Sequence, residues 1–136
     1  YSDIIDNTFY KKTYVQNQIL GRALLESVLF YDGKCIFTTV TIDEMEFYGV
    51  TGRELGGIVE QLRLTDGVEV AIFLYQTGEE EYKVSLRSKK KIDVAAIATQ
   101  FGGGGHVRAA GYTAKGSVYQ IINSIGELIE KQYNAM

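Results

Sequence analysis

The stretch VEVAIFLYQTGEEEYKVSLRSKKKIDVAAIATQF, residues 68–101, decides the architecture. Val68 to Gln76 is apolar on nearly both faces, as a central strand requires. Thr77-Gly78-Glu79 reads as a hairpin loop. Glu81 to Ser88 then alternates, with Tyr82, Val84 and Leu86 facing one way and Lys83, Ser85 and Arg87 the other. Beyond the lysines the period changes from two to that of a helix. Asp93 can cap it, and Val94, Ile97, Ala98 and Phe101 fall at i, i+3, i+4 and i+7.

Working upstream, Asp66-Gly67 is a turn and Arg53 to about Leu64 a helix, weakened by Gly56-Gly57 at roughly 1 kcal/mol per glycine. Asp43 to Gly52 is mixed, with a short helical piece at best. Lys34 to Ile42 is a strand with Ile36, Val40 and Ile42 on one face, opened by the Asp32-Gly33 turn. From Asp3 to about Phe30 the apolar residues Ile4, Ile5, Phe9, Val15, Ile19, Leu20, Leu24 and Val28 predict one long helix, interrupted only by Gly21. It is either an amphipathic helix on its own core or a connecting helix whose first half packs on another domain. Downstream, His106 to Ala114 is a short helical or extended piece. Ser117 with Gln120 resembles a capping box opening a helix striped by Val118, Ile121, Ile122, Ile125, Leu128 and Ile129. The expectation is one α/β domain, a mixed sheet flanked by helices.

Composition narrows the function. The 136 residues suit a single core, and the net charge of −3 opposes general nucleic-acid binding, so any contact with nucleotides needs a local basic patch. No apolar run approaches the roughly 18–20 residues of a membrane helix. Cys35 is the sole cysteine, which leaves no disulfide framework and suits a reducing cytoplasm.

Chemistry concentrates in two places. Gly102-Gly103-Gly104-Gly105 precedes His106, the only histidine. Ordering four glycines costs about 1–2 kcal/mol each, which a disordered linker would avoid. The run is either a backbone cradle whose N–H groups approach a phosphate or a turn that ends a helix. His106 either fixes that loop or donates to a phosphate oxygen. Arg87-Ser88-Lys89-Lys90-Lys91 is the second place: a solvated basic loop, or a phosphate grip in which Arg87 sits on a rigid strand and Arg108 lies nearby. Asp43, Glu44 and Glu46 read as a solvated face or a helix start, and Glu79 to Glu81 as a solvated tip. No residue pattern for hydrolysis or metal binding is present, so the chain carries binding equipment alone.

Arg87-Ser88-Lys89, Asp93-Val94, Ile97-Ala98, Phe101 to His106 and Ala109-Ala110-Gly111 together resemble the DHHA1 domain of DHH phosphoesterases. Within that superfamily they are most similar to the bacterial nanoRNase/pAp-phosphatase group. Lys90-Lys91 and Arg108 depart from the usual pattern by adding charge. The resemblance implies that residues 1–30 join a preceding DHH domain and that 31–136 form the DHHA1 domain. It implies two divalent ions, usually manganese, in the DHH domain and no cofactor here. Its ligands would be short RNA or pAp, its location cytoplasmic, and a homodimer one assembly open to it. It assigns the phosphate loop to Gly103, Gly104, Gly105 and His106, beside Gly102, and nucleotide contacts to Arg87 and Ser88, with Lys89 and Arg108 adding charge. Cyclic-dinucleotide phosphodiesterases and the alanyl-tRNA synthetase C-terminus are the competing resemblances.

Overall fold

The computed structural model describes residues 13–136. Six strands form one mixed sheet: β1 (Val28–Phe30), β2 (Cys35–Val40), β3 (Val70–Gly78), β4 (Glu81–Ser88), β5 (Gly104–His106) and β6 (Ala109–Lys115), in the order β1-β2-β3-β4-β6-β5. Only β2 and β3 run parallel; the remaining neighbours are antiparallel. The α-helices are α1 (Tyr14–Leu25), α2 (Ile42–Tyr48), α3 (Gly57–Arg63), α4 (Val94–Gln100) and α5 (Val118–Asn134), with a 3₁₀ turn over Gly52–Leu55.

Alternation along β2, β3 and β4 divides the core in two. Cys35, Val70, Ile72, Leu74, Val84 and Leu86 pack with α4 and α5, through Ile97 and Ile125. Ile36, Val40, Ala71 and Phe73 face the opposite side, where Ala23 of α1 and Ile58, Val59 and Leu62 of α3 cover them. Thr38 is buried on that second side and donates to the Ala23 carbonyl at 2.7 Å, tying β2 to α1. Burial pushes the Cys35 thiol up to about 12, with the charge of Glu69 adding to the effect, so it stays protonated.

The alternation of Glu81–Ser88, the central position of β3 and the Asp93 cap all match the sequence reading. Elsewhere the structure corrects it. The first helix ends at Leu25, and Val28–Phe30 is an edge strand paired with Phe37–Cys35. Ser27 donates to the Leu24 carbonyl at 2.7 Å, and Tyr31, Asp32 and Gly33 all take positive φ to reverse the chain. The apolar periodicity ran through this break because a strand edge and a helix stripe both want Val, Leu and Phe. The portion of that helix read over residues 3–12, with Ile4, Ile5 and Phe9, lies outside the described residues.

Strand β2 stops at Val40 because Thr41 caps α2, receiving the Glu44 amide at 3.1 Å while Glu44 receives the Thr41 amide at 2.9 Å. Asp43 and Glu44 thus belong to a helix start, favourable beside its positive end. The helix read over Arg53–Leu64 is split at Gly56 into a 3₁₀ turn and α3.

At the far end the Ser117–Gln120 capping box forms as read, with reciprocal bonds of 3.2 and 2.9 Å. Ser117→Ala is expected to lower stability by about 1 kcal/mol. Thermal unfolding would show this as a drop of a few degrees, and Ser117→Asp should largely restore it.

Candidate functional site

The glycine run performs three separate jobs. Gly102, at φ 88°, follows the C-terminus of α4, where its amide bonds the Thr99 carbonyl at 3.1 Å and that of Gly103 bonds Ala98 at 2.9 Å. This double closure satisfies the last helix carbonyls and needs a residue at ease in the left-handed region. Gly103 passes so close to β6 that a Cβ there would overlap the Gly111 carbonyl and the Tyr112 side chain. Phe101 stacks on Tyr112 at 4.9 Å beside this crossing. Gly104 and Gly105 then enter β5, the outermost strand of the sheet, whose outer edge no further strand among the described residues takes up. The run therefore ends a helix and lays bare backbone along an edge.

Cross-strand register shows what shares a face. Arg87 pairs with Ala109, which pairs with His106; Ser85 pairs with Gly111, which pairs with Gly104; Lys83 pairs with Thr113. Directly paired residues point the same way. These rows occupy the face that α1 and α3 cover over β2 and β3, and the cover ends near β4. On β6 the opposite residues Ala110, Tyr112 and Ala114 are buried, whereas Thr113 and Lys115 are exposed. Gly104 and His106 are also exposed. The result is an open shelf with a floor of Ala109, Gly111 and Gly104. Arg87 bounds it on one side and His106 on the other, two strand spacings or about 10 Å apart.

Arg87 is half-buried on the shelf's inner margin. Its Nε donates to Glu60 on α3 at 2.8 Å and its Nη1 to the Leu86 carbonyl at 3.0 Å. Arg63 holds the other Glu60 oxygen at 3.0 Å. Burial pushes the Glu60 carboxyl up, but bonds from Arg87 and Arg63 overrule it and the net direction is down. The anchored guanidinium retains an Nη2 with no hydrogen-bond partner among the described residues. The His106 imidazole has none there either, so it does not fix the loop.

The other residues singled out from the sequence lie elsewhere. Ser88 is buried; its hydroxyl donates to the Ile92 carbonyl at 2.6 Å and accepts from Arg108 Nη1 at 3.2 Å. Arg108 spends its guanidinium on the carbonyls of Lys90 and Ile92 and on Ser88. It braces the basic loop from the turn between β5 and β6. That turn is itself held by Ser88 and Val94, whose amides bond the Arg108 and Val107 carbonyls at 3.1 and 3.0 Å. Lys89 reaches away to the Thr65 carbonyl at 3.0 Å. The shelf thus gathers Arg87, Gly104 and His106, while Ser88 and Arg108 set the loop geometry behind it.

Glu69 was missed in the sequence because a carboxylate in a strand-like run carries no local sign of its partners. It is 9% exposed and accepts the amides of Lys90 at 3.1 Å, Lys91 at 2.7 Å and Ile92 at 3.0 Å. A carboxylate so enclosed is an internal anion occupying a backbone nest. Its spacing to the basic loop becomes visible only when β3 and β4 are paired. Among the described residues no three His, Cys, Asp or Glu side chains converge as metal ligands. No described helix is long and apolar enough to cross a membrane.

Comparison with known proteins agrees with the geometry. The DHHA1 domain family matches residues 32–132. A 55-residue segment is 47% identical to the Thermus thermophilus bifunctional oligoribonuclease and PAP phosphatase NrnA, covering 40% of this chain and 17% of that protein. Among solved structures, an exopolyphosphatase-related protein from Bacteroides fragilis superposes with a TM-score of 0.84 at 23% identity, over 96% of this chain and 38% of that one. A pGpG-specific phosphodiesterase from Vibrio cholerae gives 0.56 at 10% identity, over 88% and 39%. The chain spans less than half the length of each of these proteins. With a six-stranded mixed sheet of this order and a matched stretch running from the Asp32 turn to Gln132 near the end of α5, the chain belongs to the DHHA1 domain family.

Proposed function

We propose that the chain is the substrate-holding half of a two-domain phosphoesterase acting on short oligoribonucleotides or pAp, with hydrolysis carried out on a neighbouring DHH domain. The observation that carries this reading is the open shelf itself. It is a rigid sheet face whose floor is stripped to glycine and alanine. An anchored arginine stands on one side, and on the other a histidine with no hydrogen-bond partner among the described residues. A small-residue floor lets a planar or anionic group approach the backbone closely. A half-free guanidinium offers a charge-assisted bond to a phosphate oxygen.

The division of labour follows from the residues. Glu60 holds the Arg87 Nε, so the free Nη2 points its N–H groups in a fixed direction instead of sweeping solvent. The imidazole of His106 supplies a second donor across the floor. The edge amides of β5 lie between solvent and the shelf, where a phosphate could share them. Two divalent ions held by the DHH domain would polarise the scissile phosphate and supply activated water. Sites of this kind form where domains meet. The group similarity to the Thermus enzyme supports the choice of substrate, and the unfinished face supports the presence of a covering domain.

Titration of the chain with pAp and with a 5′-phosphorylated diribonucleotide tests this. Saturable binding should shift the amides of Gly102 to His106. Arg87→Ala should weaken it about 10- to 100-fold, since a hydrogen bond to a charged group is worth about 1.5–3 kcal/mol. The isolated chain supplied with manganese should not turn over either ligand. Robust hydrolysis, or binding indifferent to Arg87, would refute the reading.

A further inference from the structure

A second basic region lies around the end of the sheet, outside the shelf. Lys34 at the start of β2 and Lys89, Lys90 and Lys91 after β4 line one pocket of about 310 Å³ together with Gly67, Glu69 and Tyr133. Lys34 arrives from a segment remote in sequence from the other three. Convergence of four cations in a chain of net charge −3 is a local reversal of sign. None of the four has a carboxylate within ion-pair distance among the described residues, where every ion pair uses arginine.

The one carboxylate in the pocket, Glu69, is turned onto three backbone amides, which solvate its charge without drawing on the lysine side chains. Its charge is one against four. Lys34 Nζ stands over the rings of Tyr31 and Tyr133, at 5.2 and 5.4 Å, and these rings contact each other at 5.4 Å. The pocket therefore has an aromatic side as well as a cationic rim. A volume of this size lies at the lower end of those that hold small ligands.

Position relates this pocket to the shelf. Lys89 stands two residues beyond Arg87, roughly 7 Å along the chain. It leans toward Thr65, which follows α3, and so toward the side of the sheet on which Arg87 meets Glu60.

We propose that this lysine pocket binds a phosphate of a single-stranded oligonucleotide, additional to the one taken by Arg87. The proposal extends the reading of the shelf to longer ligands but stands on different residues. Lysines suit this role because a sliding strand presents phosphates at varied angles, which a point charge tolerates better than a fork. A second phosphate contact would separate oligonucleotides from mononucleotides by length and would make their binding the more salt-dependent.

The test follows backbone amide shifts of the chain under two probes, inorganic pyrophosphate and a 5′-phosphorylated tetraribonucleotide. Pyrophosphate should shift Gly67 and Lys90 to Ile92. Those shifts should vanish in Lys34→Ala/Lys91→Ala, whose side chains are exposed, and persist in Arg87→Ala. The tetranucleotide should shift the same amides, and the double variant should reduce the slope of log affinity against log salt by about 1.4. In that variant the Gly104 and His106 shifts should remain, so the shelf is read out separately. Failure of pyrophosphate to shift the pocket amides would overturn the proposal. So would their shifts being lost in Arg87→Ala alone, or a tetranucleotide that moves only the shelf.

Discussion

Replacing Glu69 by alanine is expected to destabilise the chain by about 3 kcal/mol or more. Its carboxylate accepts three consecutive amides at 2.7–3.1 Å and is nearly buried. Removing it strands N–H groups that cost about 1–3 kcal/mol each where water cannot replace the partner. Lys90 and Lys91 are exposed, so their amides recover part of the loss; the buried Ile92 does not. Urea unfolding reads the result as a lower midpoint at an unchanged slope. Glu69→Gln keeps the size and one acceptor and should fall between.

The pH dependence has a definite sign. Burial pushes the Glu69 carboxyl up, but the bonds from the amides of Ile92, Lys91 and Lys90 outweigh it, so its folded value lies below the ordinary one. Its stabilisation is therefore complete above the ordinary glutamate range and is lost as pH falls through the lowered folded value. The wild-type chain should lose stability more steeply in acid than Glu69→Gln does.

The second large effect is expected at Gly103. Its φ lies outside the left-handed region, so conformational preference does not exclude alanine. Proximity does, because the new Cβ would overlap the Gly111 carbonyl and Tyr112 Cβ and lie 2.9 Å from Tyr112 Cα. The Gly111 carbonyl and Tyr112 Cα are backbone atoms of β6 in the sheet interior, with β4 and β5 paired on either side, and they cannot yield alone. Overpacking of this kind costs about 1–3 kcal/mol and moves the backbone. Gly103→Ala should therefore lower stability and also abolish ligand-induced shifts of Gly104 and His106, because β5 would be pushed off β6. Gly104→Ala is the control. A Cβ there meets nothing within 4 Å, so it should fold normally and affect only ligand binding.

How far the chain could be read from its residues depended on the range of each interaction. Strand β4, the α4 cap at Asp93 and the Ser117–Gln120 box are fixed by neighbours a few positions apart, and all appear as read. The Ala109-Ala110-Gly111 stretch gave an uncertain reading because small residues fit either state. Pairing with β4 on one side and β5 on the other settles it as a strand. The break at Leu25 was hidden because Val28–Phe30 gains its partners from Phe37–Cys35 across a turn, a pairing no helical count reveals. The same holds for the binding residues. The glycine run and Arg87 stood out locally, whereas the engagement of Arg87 by Glu60, of Arg108 by the Lys90 and Ile92 carbonyls, and of Glu69 by the basic loop links positions 16 to 27 residues apart.

The bare floor of the shelf has a consequence for how such a protein can diversify. Ala109, Gly111 and Gly104 present mostly main chain, and the core lies on the reverse side of the same strands. Recognition there is written in backbone shape, which changes slowly, and in a few side chains at the margins, which can change freely. Exchanging Lys83, Thr113 or His106 alters what the surface prefers without reopening a single packed contact of Leu86, Ile97 or Ile125. A scaffold arranged in this way can acquire a new ligand at little risk to its own folding.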